Sequence, residues 1–203
     1  MNLLPEIKLG LLNGWIYFVF YLIVFGITLS TCSSEVKKRL YDRSLWDKKT
    51  KIITAFGKLF SLINIIMIFL SSLLIGTLEF VIGTVLYLIG LTGLVIAIIN
   101  YRNAPLERPI TRRLYKVSRN PQIVMIFITF TGMMLIIGSW INLIFLTITV
   151  ITTHFSILGE EKALTEQYGE SYLEYKKQVP RYFLFFNTIK HDLYGLDKDH
   201  QKY

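Results

Sequence analysis

The chain has a single cysteine, Cys32, and only three histidines in 203 residues. One cysteine excludes an internal disulfide framework and a zinc site built from cysteines. His191 and His200 have neither a cysteine nor a group of carboxylates beside them, so we predict no metal site. Charged residues make up 18% of the chain, whereas 53% of it is hydrophobic and the mean hydropathy is +0.48. This composition exceeds what a soluble core of this size needs and predicts a membrane protein.

Five apolar segments approach the roughly 20 residues with which a helix crosses about 30 Å of hydrocarbon. They lie at about 12–31, 59–76, 80–100, 123–138 and 140–158. No small-residue cleavage site is clear in the first segment, so we treat it as a true span. We predict an all-α polytopic membrane protein with about five transmembrane helices and a cytoplasmic helical tail. Its single domain, residues 1–203, has three packing helices in 12–100, a loop, helical hairpin and tail in 101–183, and a polar extension in 184–203.

The distribution of basic residues predicts the topology. Of the 22 lysines and arginines, 20 lie in residues 32–51, in residues 101–122 and in the tail, and five crossings put all three regions on one side. The positive-inside bias then places the amino terminus outside, and the tail in the cytoplasm. The net charge of +8 is therefore interpreted as a topology signal and an attraction to anionic lipid headgroups, with no nucleic-acid partner.

Residues 32–51 are mostly charged or polar and include Trp46, a pattern that predicts an interfacial loop or a short surface helix. We interpret this segment as a solvated link, with substrate contact as the alternative. Gly83, Gly90 and Gly93 in the third span predict close approach of neighbouring helices.

The stretch from His154 to Phe183 carries the strongest chemical signal in the chain. The last apolar segment changes at once into a charged helix that begins with Glu160 and Glu161, and Pro180 forbids further helix. Glu160 and Glu161 lie where this helix leaves the membrane, a position that we call the acidic helix mouth. A pair of carboxylates there needs a cationic or hydroxyl partner. His154 precedes this pair by less than two helical turns, where it could act in catalysis or as an interhelical contact.

A basic and proline-rich loop is the predicted partner of the acidic helix mouth. Its segment 112–122 reads RRLYKVSRNPQ, and it could surround an anion or form a lipid-headgroup patch. Only Gly138 and Ser139 separate the two apolar segments that follow, so they form a tight helical hairpin. This hairpin returns Pro121 and Glu160 to the same membrane face. We therefore predict that the loop and the acidic helix mouth form one site.

The residues of this region resemble the isoprenylcysteine carboxyl methyltransferase and phospholipid methyltransferase superfamily. The resemblance covers about residues 103–183 and rests on the order and spacing of several short pieces. These are Tyr115-x-x-Ser118-Arg119-Asn120-Pro121, the helical hairpin, His154, Glu160-Glu161-x-x-Leu164, Tyr168-Gly169, Tyr172, Tyr175 and Val179-Pro180-Arg181.

The resemblance implies an integral membrane enzyme that uses S-adenosyl-L-methionine at a cytoplasmic site. It implies that the cofactor-binding residues are Tyr115, Asn120, Pro121, Gln122, Ile123 and Glu160, with Glu161 beside it. Arg119 and Arg181 would position the carboxylate of the cofactor or hold the loop and tail together. His154 is the catalytic candidate, because an amine acceptor must first lose a proton. The acceptor would be a lipid, an isoprenoid or another lipophilic or amphipathic molecule.

The sequence departs from the superfamily pattern at several positions. Ser156 stands where the carboxyl methyltransferases place a substrate-contacting arginine, which favours a lipid or isoprenoid acceptor over a prenylcysteine. Arg113 stands where a glycine is usual two residues before the loop tyrosine. Asn120 and Ile123 replace a histidine and a tyrosine of the prenylcysteine enzymes. The alternatives are a sterol-reductase-like enzyme that uses NADPH, because sterol reductases have a similar tail, and a non-catalytic lipid-binding protein.

Overall fold

The computed structural model describes residues 1–8, 10–105 and 109–182. Within these ranges the chain forms seven α-helices, one short 3-10 helix and no strand beyond isolated bridging pairs. The helices are α1 (Trp15–Ser30), α2 (Ser34–Tyr41), α3 (Lys48–Leu70), α4 (Leu78–Arg102), the 3-10 helix (Arg113–Lys116), α5 (Pro121–Ile136), α6 (Trp140–Tyr168) and α7 (Glu170–Gln178). The predicted polar extension 184–203 lies outside the described residues.

Three of these helices are long and apolar enough to cross a membrane: α3, α4 and α6, with 23, 25 and 29 residues. At 1.5 Å per residue, even the shortest of them is about 35 Å long, which exceeds the thickness of the hydrocarbon core. The helices α1 and α5 are apolar but have 16 residues each. Large apolar side chains such as Ile23, Val81 and Ile151 are more than half exposed, as expected of surfaces that face lipid.

The boundaries of α3 differ from the predicted second apolar segment, 59–76. The helix begins eleven residues earlier, because the side chain of Asp47 caps it and accepts a hydrogen bond from the Thr50 nitrogen at 2.7 Å. It ends at Leu70, where Ser71 and Ser72 pair with the amino-terminal segment. The lysine-rich start of α3 was therefore wrongly assigned to the link. The predicted surface helix is present as α2.

The tightest helix packing joins α4 to α5, where glycines let the two backbones approach. A Cβ atom added at Gly90 would lie 2.5 Å from the Thr129 nitrogen, and one at Gly132 would lie 2.5 Å from the Tyr87 nitrogen. Close packing at the glycines of the third span is thus confirmed. Between α3 and α6, the amide groups of Asn64 and Asn142 hydrogen-bond at 2.9 Å.

The two ends of the helix bundle are built differently. At one end, the amino-terminal segment meets both hairpin turns: the Asn2 nitrogen donates to the Gly138 carbonyl at 2.9 Å, and the Lys8 nitrogen donates to that of Leu70 at 3.0 Å. The opposite end gathers α2, the start of α3, the end of α4, the start of α5, the end of α6 and α7. Most of the described basic residues lie at this second end.

Candidate functional site

A cavity of about 390 Å³ lies at the basic end of the bundle. This volume falls within the range of small-molecule sites in proteins. The cavity has two walls. One, which we call the anchored wall, comes from the loop before α5, the end of α6 and α7. The other, which we call the linker wall, comes from α2 and the segment that joins α2 to α3.

The anchored wall holds seven of the nine predicted cofactor-binding residues. They are Tyr115, Arg119, Asn120, Gln122, Ile123, Glu160 and Glu161. The predicted meeting of the basic loop and the acidic helix mouth therefore occurs in a single cavity. Pro121 and Arg181 are not among the residues that line it: Pro121 is the fully buried first residue of α5, and Arg181 packs behind Glu161.

Glu161 is the centre of an ion cluster that fixes the anchored wall. Its carboxylate is 4% exposed and accepts two hydrogen bonds from Arg181, from Nε and Nη2, both at 2.8 Å. Arg119 Nη2 lies 2.9 Å from the same carboxylate, and Lys176 Nζ lies at 3.7 Å. The hydrogen bonds to this carboxylate raise the pKa of Arg181 above its usual value. These contacts give Glu161 a structural role between loop and tail; because it also lines the cavity, its predicted contact with the cofactor stays a prediction.

Further hydrogen bonds join the loop to the tail. The backbone nitrogen of Arg119 donates to the Pro180 carbonyl at 2.9 Å, and its Nη1 donates to the Lys176 carbonyl at 2.9 Å. The hydroxyl of Tyr175 donates to the Tyr115 carbonyl at 2.7 Å. Of the two roles considered for Arg119 and Arg181, these contacts support holding the loop and tail together.

Glu160 differs from its neighbour. Its side chain lines the cavity and, among the described residues, it has no ion pair and no hydrogen-bonded side-chain partner. Consecutive residues on an α-helix point about 100° apart, so Glu161 reaches the arginines while Glu160 does not, although both line the cavity. Glu160 is therefore the carboxylate available to a ligand.

Two buried donors and several aromatic rings complete the anchored wall. Arg119 Nε and Gln122 Nε2 are buried and have no hydrogen-bond partner within the described part of the chain. Such orphaned donors are costly unless a ligand or water accepts from them. Tyrosine rings also line the cavity: Tyr101, Tyr115, Tyr168, Tyr172 and Tyr175. Burial raises the pKa of Tyr115, so its hydroxyl stays protonated at neutral pH.

The structure explains why a glycine is usual at position 113. The φ angle of Arg113 is +51°, the only positive φ of a non-glycine residue among those described. Side chains disfavour this left-handed region, which glycine enters freely. The backbone turn that directs Tyr115 into the cavity therefore persists without the glycine.

Two other predicted residues lie away from the cavity lining. His154 Nδ1 is 2.9 Å from the Tyr182 hydroxyl. The structure thus ties the catalytic candidate to the tail, and its catalytic role stays a prediction. Ser156, at the position of the superfamily's substrate-contacting arginine, is buried and lies 2.6 Å from Thr54 Oγ1. It joins α6 to α3.

The linker wall comes from the segment that we interpreted as a solvated link, with substrate contact as the alternative. Lys38, Arg39, Arg43 and Trp46 line the cavity, so this segment encloses it on one side. Arg39 Nη1 donates to the Pro105 carbonyl at 2.7 Å, and its guanidinium lies 5.4 Å from the Tyr101 ring centroid. An aromatic residue among basic ones was the available signal, but only tertiary contacts show that it faces a cavity.

The described helices, three of them long and apolar enough to cross a membrane, carry a polar, tyrosine-lined cavity at the end of the last hairpin. The phospholipid methyltransferase family model matches residues 66–171, just over half of the chain. The chain belongs to this family, and the resemblance seen in the sequence is confirmed. It is accordingly a membrane methyltransferase. No curated protein and no solved structure matches it.

Proposed function

We propose that the cavity binds S-adenosyl-L-methionine and that the enzyme transfers its methyl group to a lipid, isoprenoid or other amphipathic acceptor in the membrane. One observation carries this proposal: Glu160, a carboxylate without a described partner, shares a cavity with Tyr115, Asn120 and Gln122. The family membership favours methyl transfer over the reductase and lipid-binding alternatives.

The residues present fit the chemistry of this cofactor. Its ribose hydroxyls and amino group are donors that a carboxylate such as Glu160 accepts. Adenine offers ring nitrogens as acceptors for the orphaned donors Arg119 Nε and Gln122 Nε2. The tyrosine faces stabilise a sulfonium cation. When bound, the cofactor supplies an electrophilic methyl group on that sulfonium.

Methyl transfer requires alignment more than it requires acid or base groups. The acceptor atom bonds to the methyl carbon while the carbon–sulfur bond breaks and its electron pair stays on sulfur. A cavity that holds both partners in line contributes much of the rate acceleration. A carboxylate acceptor needs no base, whereas an amine must lose a proton, which would give His154 a role. The predicted five crossings, with the amino terminus outside and the cavity in the cytoplasm, complete the proposal.

The test is a calorimetric titration of the detergent-purified protein with S-adenosylhomocysteine, the demethylated product. Glu160→Gln keeps the size of the side chain and removes its charge. Because a hydrogen bond to a charged group contributes about 1.5–3 kcal/mol, we expect affinity to fall by about tenfold to a hundredfold. Glu170→Gln, on the exposed start of α7, is the control and should bind as the wild type does. A titration of the wild type that shows no saturable heat would contradict the proposal. So would a Glu160→Gln variant that binds S-adenosylhomocysteine with the affinity of the wild type.

A further inference from the structure

The linker wall lies outside the part of the chain that the family model matches. Its cavity-lining charged residues fall between Glu35 and Arg43, whereas the match begins at residue 66. The family membership therefore says nothing about what this wall does.

Arg43 is an exposed residue that is held by a ring and by backbone carbonyls, and its charge interacts with that of the adjacent Asp42. Its guanidinium carbon lies 4.5 Å from the Trp46 ring centroid. Nη1 donates to two backbone carbonyls, that of Asp42 at 2.7 Å and that of Leu40 at 3.2 Å. Within the described ranges, no carboxylate lies within 4 Å of this guanidinium, and its other nitrogens make no hydrogen bond. The acidic neighbour Asp42 accepts instead from the Ser44 nitrogen at 2.8 Å.

The cations of the anchored wall are already ion-paired. Arg119, Arg181 and Lys176 all converge on the single carboxylate of Glu161. Lys38 and Arg43 line the cavity from the other side, where none of the described ion pairs includes them. The linker wall lines the cavity with three cations, Lys38, Arg39 and Arg43, and two carboxylates, Glu35 and Asp42, which leaves one net positive charge on that side. Burial raises the pKa of Glu160, and the charge of Arg43 across the cavity opposes this shift.

We propose that the linker wall is an anion-binding subsite, in which Arg43, stacked on Trp46 and assisted by Lys38, binds a carboxylate or phosphate group. A guanidinium presents a planar fork of donors that matches these groups. The ring and the two carbonyls already fix its orientation, so little entropy is lost on binding. With Glu160 opposite, the cavity suits a ligand that is cationic or hydroxylated at one end and anionic at the other.

Two sources of this anion are consistent with the proposed function on which the inference rests. One is the methionyl carboxylate of the cofactor, and the other is the phosphate of a phospholipid acceptor. Because α2 carries both polar residues and partly exposed apolar ones at the end of the bundle, the wall can meet a lipid headgroup as readily as a soluble ligand. The experiment has one arm for each source.

The first arm compares S-adenosylhomocysteine with its decarboxylated analogue, which keeps the amino group. If the carboxylate is the ligand, Arg43→Gln weakens the first about tenfold or more and leaves the second unchanged, whereas Arg43→Lys keeps part of the affinity. Arg102→Gln, at the same end of the bundle but not lining the cavity, is the matched control. Unfolding temperatures of all variants show whether each one folds.

The second arm uses Trp46 as a reporter in a protein whose other tryptophans, Trp15 and Trp140, are replaced by phenylalanine. If phosphate is the ligand, dioctanoyl phosphatidate changes the Trp46 emission saturably, and Arg43→Gln raises the concentration needed about tenfold. Folded Arg43→Gln protein that binds both probes as the wild type does would overturn the inference. Failure of the proposed function is distinguishable, because it would abolish nucleoside binding in the wild type while leaving a phosphatidate response intact.

Discussion

The two walls of the cavity are fixed by different kinds of contact. The anchored wall is held by a buried carboxylate with two arginines and by loop-to-tail hydrogen bonds. Among the described contacts of the linker wall, Arg39 donates to a backbone carbonyl and lies over aromatic rings, and Val36 packs in the hydrophobic core. The difference teaches that residues of the same charge beside one cavity can be ion-paired to a buried carboxylate on one side and lack a described ion pair on the other.

The largest expected effect comes from Glu161→Gln, which breaks the anchored wall. Removing the charge leaves buried cations without a partner, and such changes cost about 3–5 kcal/mol. We expect the apparent unfolding temperature in detergent to fall by about 6–20 °C, at 2–4 °C for each kcal/mol in a chain of this size. Glu160→Gln is the matched control, because the same substitution at the adjacent residue should leave the unfolding temperature close to the wild-type value. Equal decreases in unfolding temperature in both variants would mean that the two carboxylates contribute equally to stability.

Tyr175→Phe should produce an intermediate effect on the same wall. The variant leaves the buried Tyr115 carbonyl without its 2.7 Å donor, which costs about 1–2 kcal/mol. Thermal unfolding measures the loss, and Tyr41→Phe, at a tyrosine that is 55% exposed on α2, serves as the comparison. If Tyr175→Phe unfolds at the wild-type temperature, this bond does not contribute to holding the loop against the tail.

Arg39→Gln, on the linker wall, should have the smallest effect on stability of the three substitutions. The described partners of Arg39, which are the Pro105 carbonyl and two tyrosine rings, are partly exposed. Water can therefore replace part of what is lost, and the shift in unfolding temperature should be below that of Tyr175→Phe. Limited proteolysis should nevertheless cut the segment between α2 and α3 faster in this variant, with Arg102→Gln as control. If Arg39→Gln lost more stability than Glu161→Gln, the contacts of the linker wall would contribute more to stability than those of the anchored wall, and the comparison would be wrong.

The sequence predicted the parts of the fold that depend on local rules. The hairpin at Gly138 is confirmed: α5 ends at Ile136, α6 begins at Trp140, and Gly138 between them has a φ of +64°. The turn follows from the conformational freedom of glycine between two helical segments. The meeting of the loop and the acidic helix mouth followed from that hairpin.

What the sequence did not predict depends on tertiary contacts. Glu160 and Glu161 are the same residue type side by side, and only the placement of Arg119 and Arg181 makes one a framework residue. The start of α3 was placed too late because its lysines resemble a loop, although Asp47 and Thr50 form a recognisable cap. For the same reason, nothing local distinguishes a solvated linker from one that encloses a cavity.

The continuity of α6 has a mechanical consequence. One unbroken helix carries exposed apolar residues, such as Ile151 and Phe155, and continues to Glu160 and Tyr168. Hydrophobic mismatch changes helix tilt when bilayer thickness changes. A tilt of α6 in a thinner or thicker membrane therefore swings Glu160 relative to Arg43, so that acyl-chain length would adjust the width of the cavity.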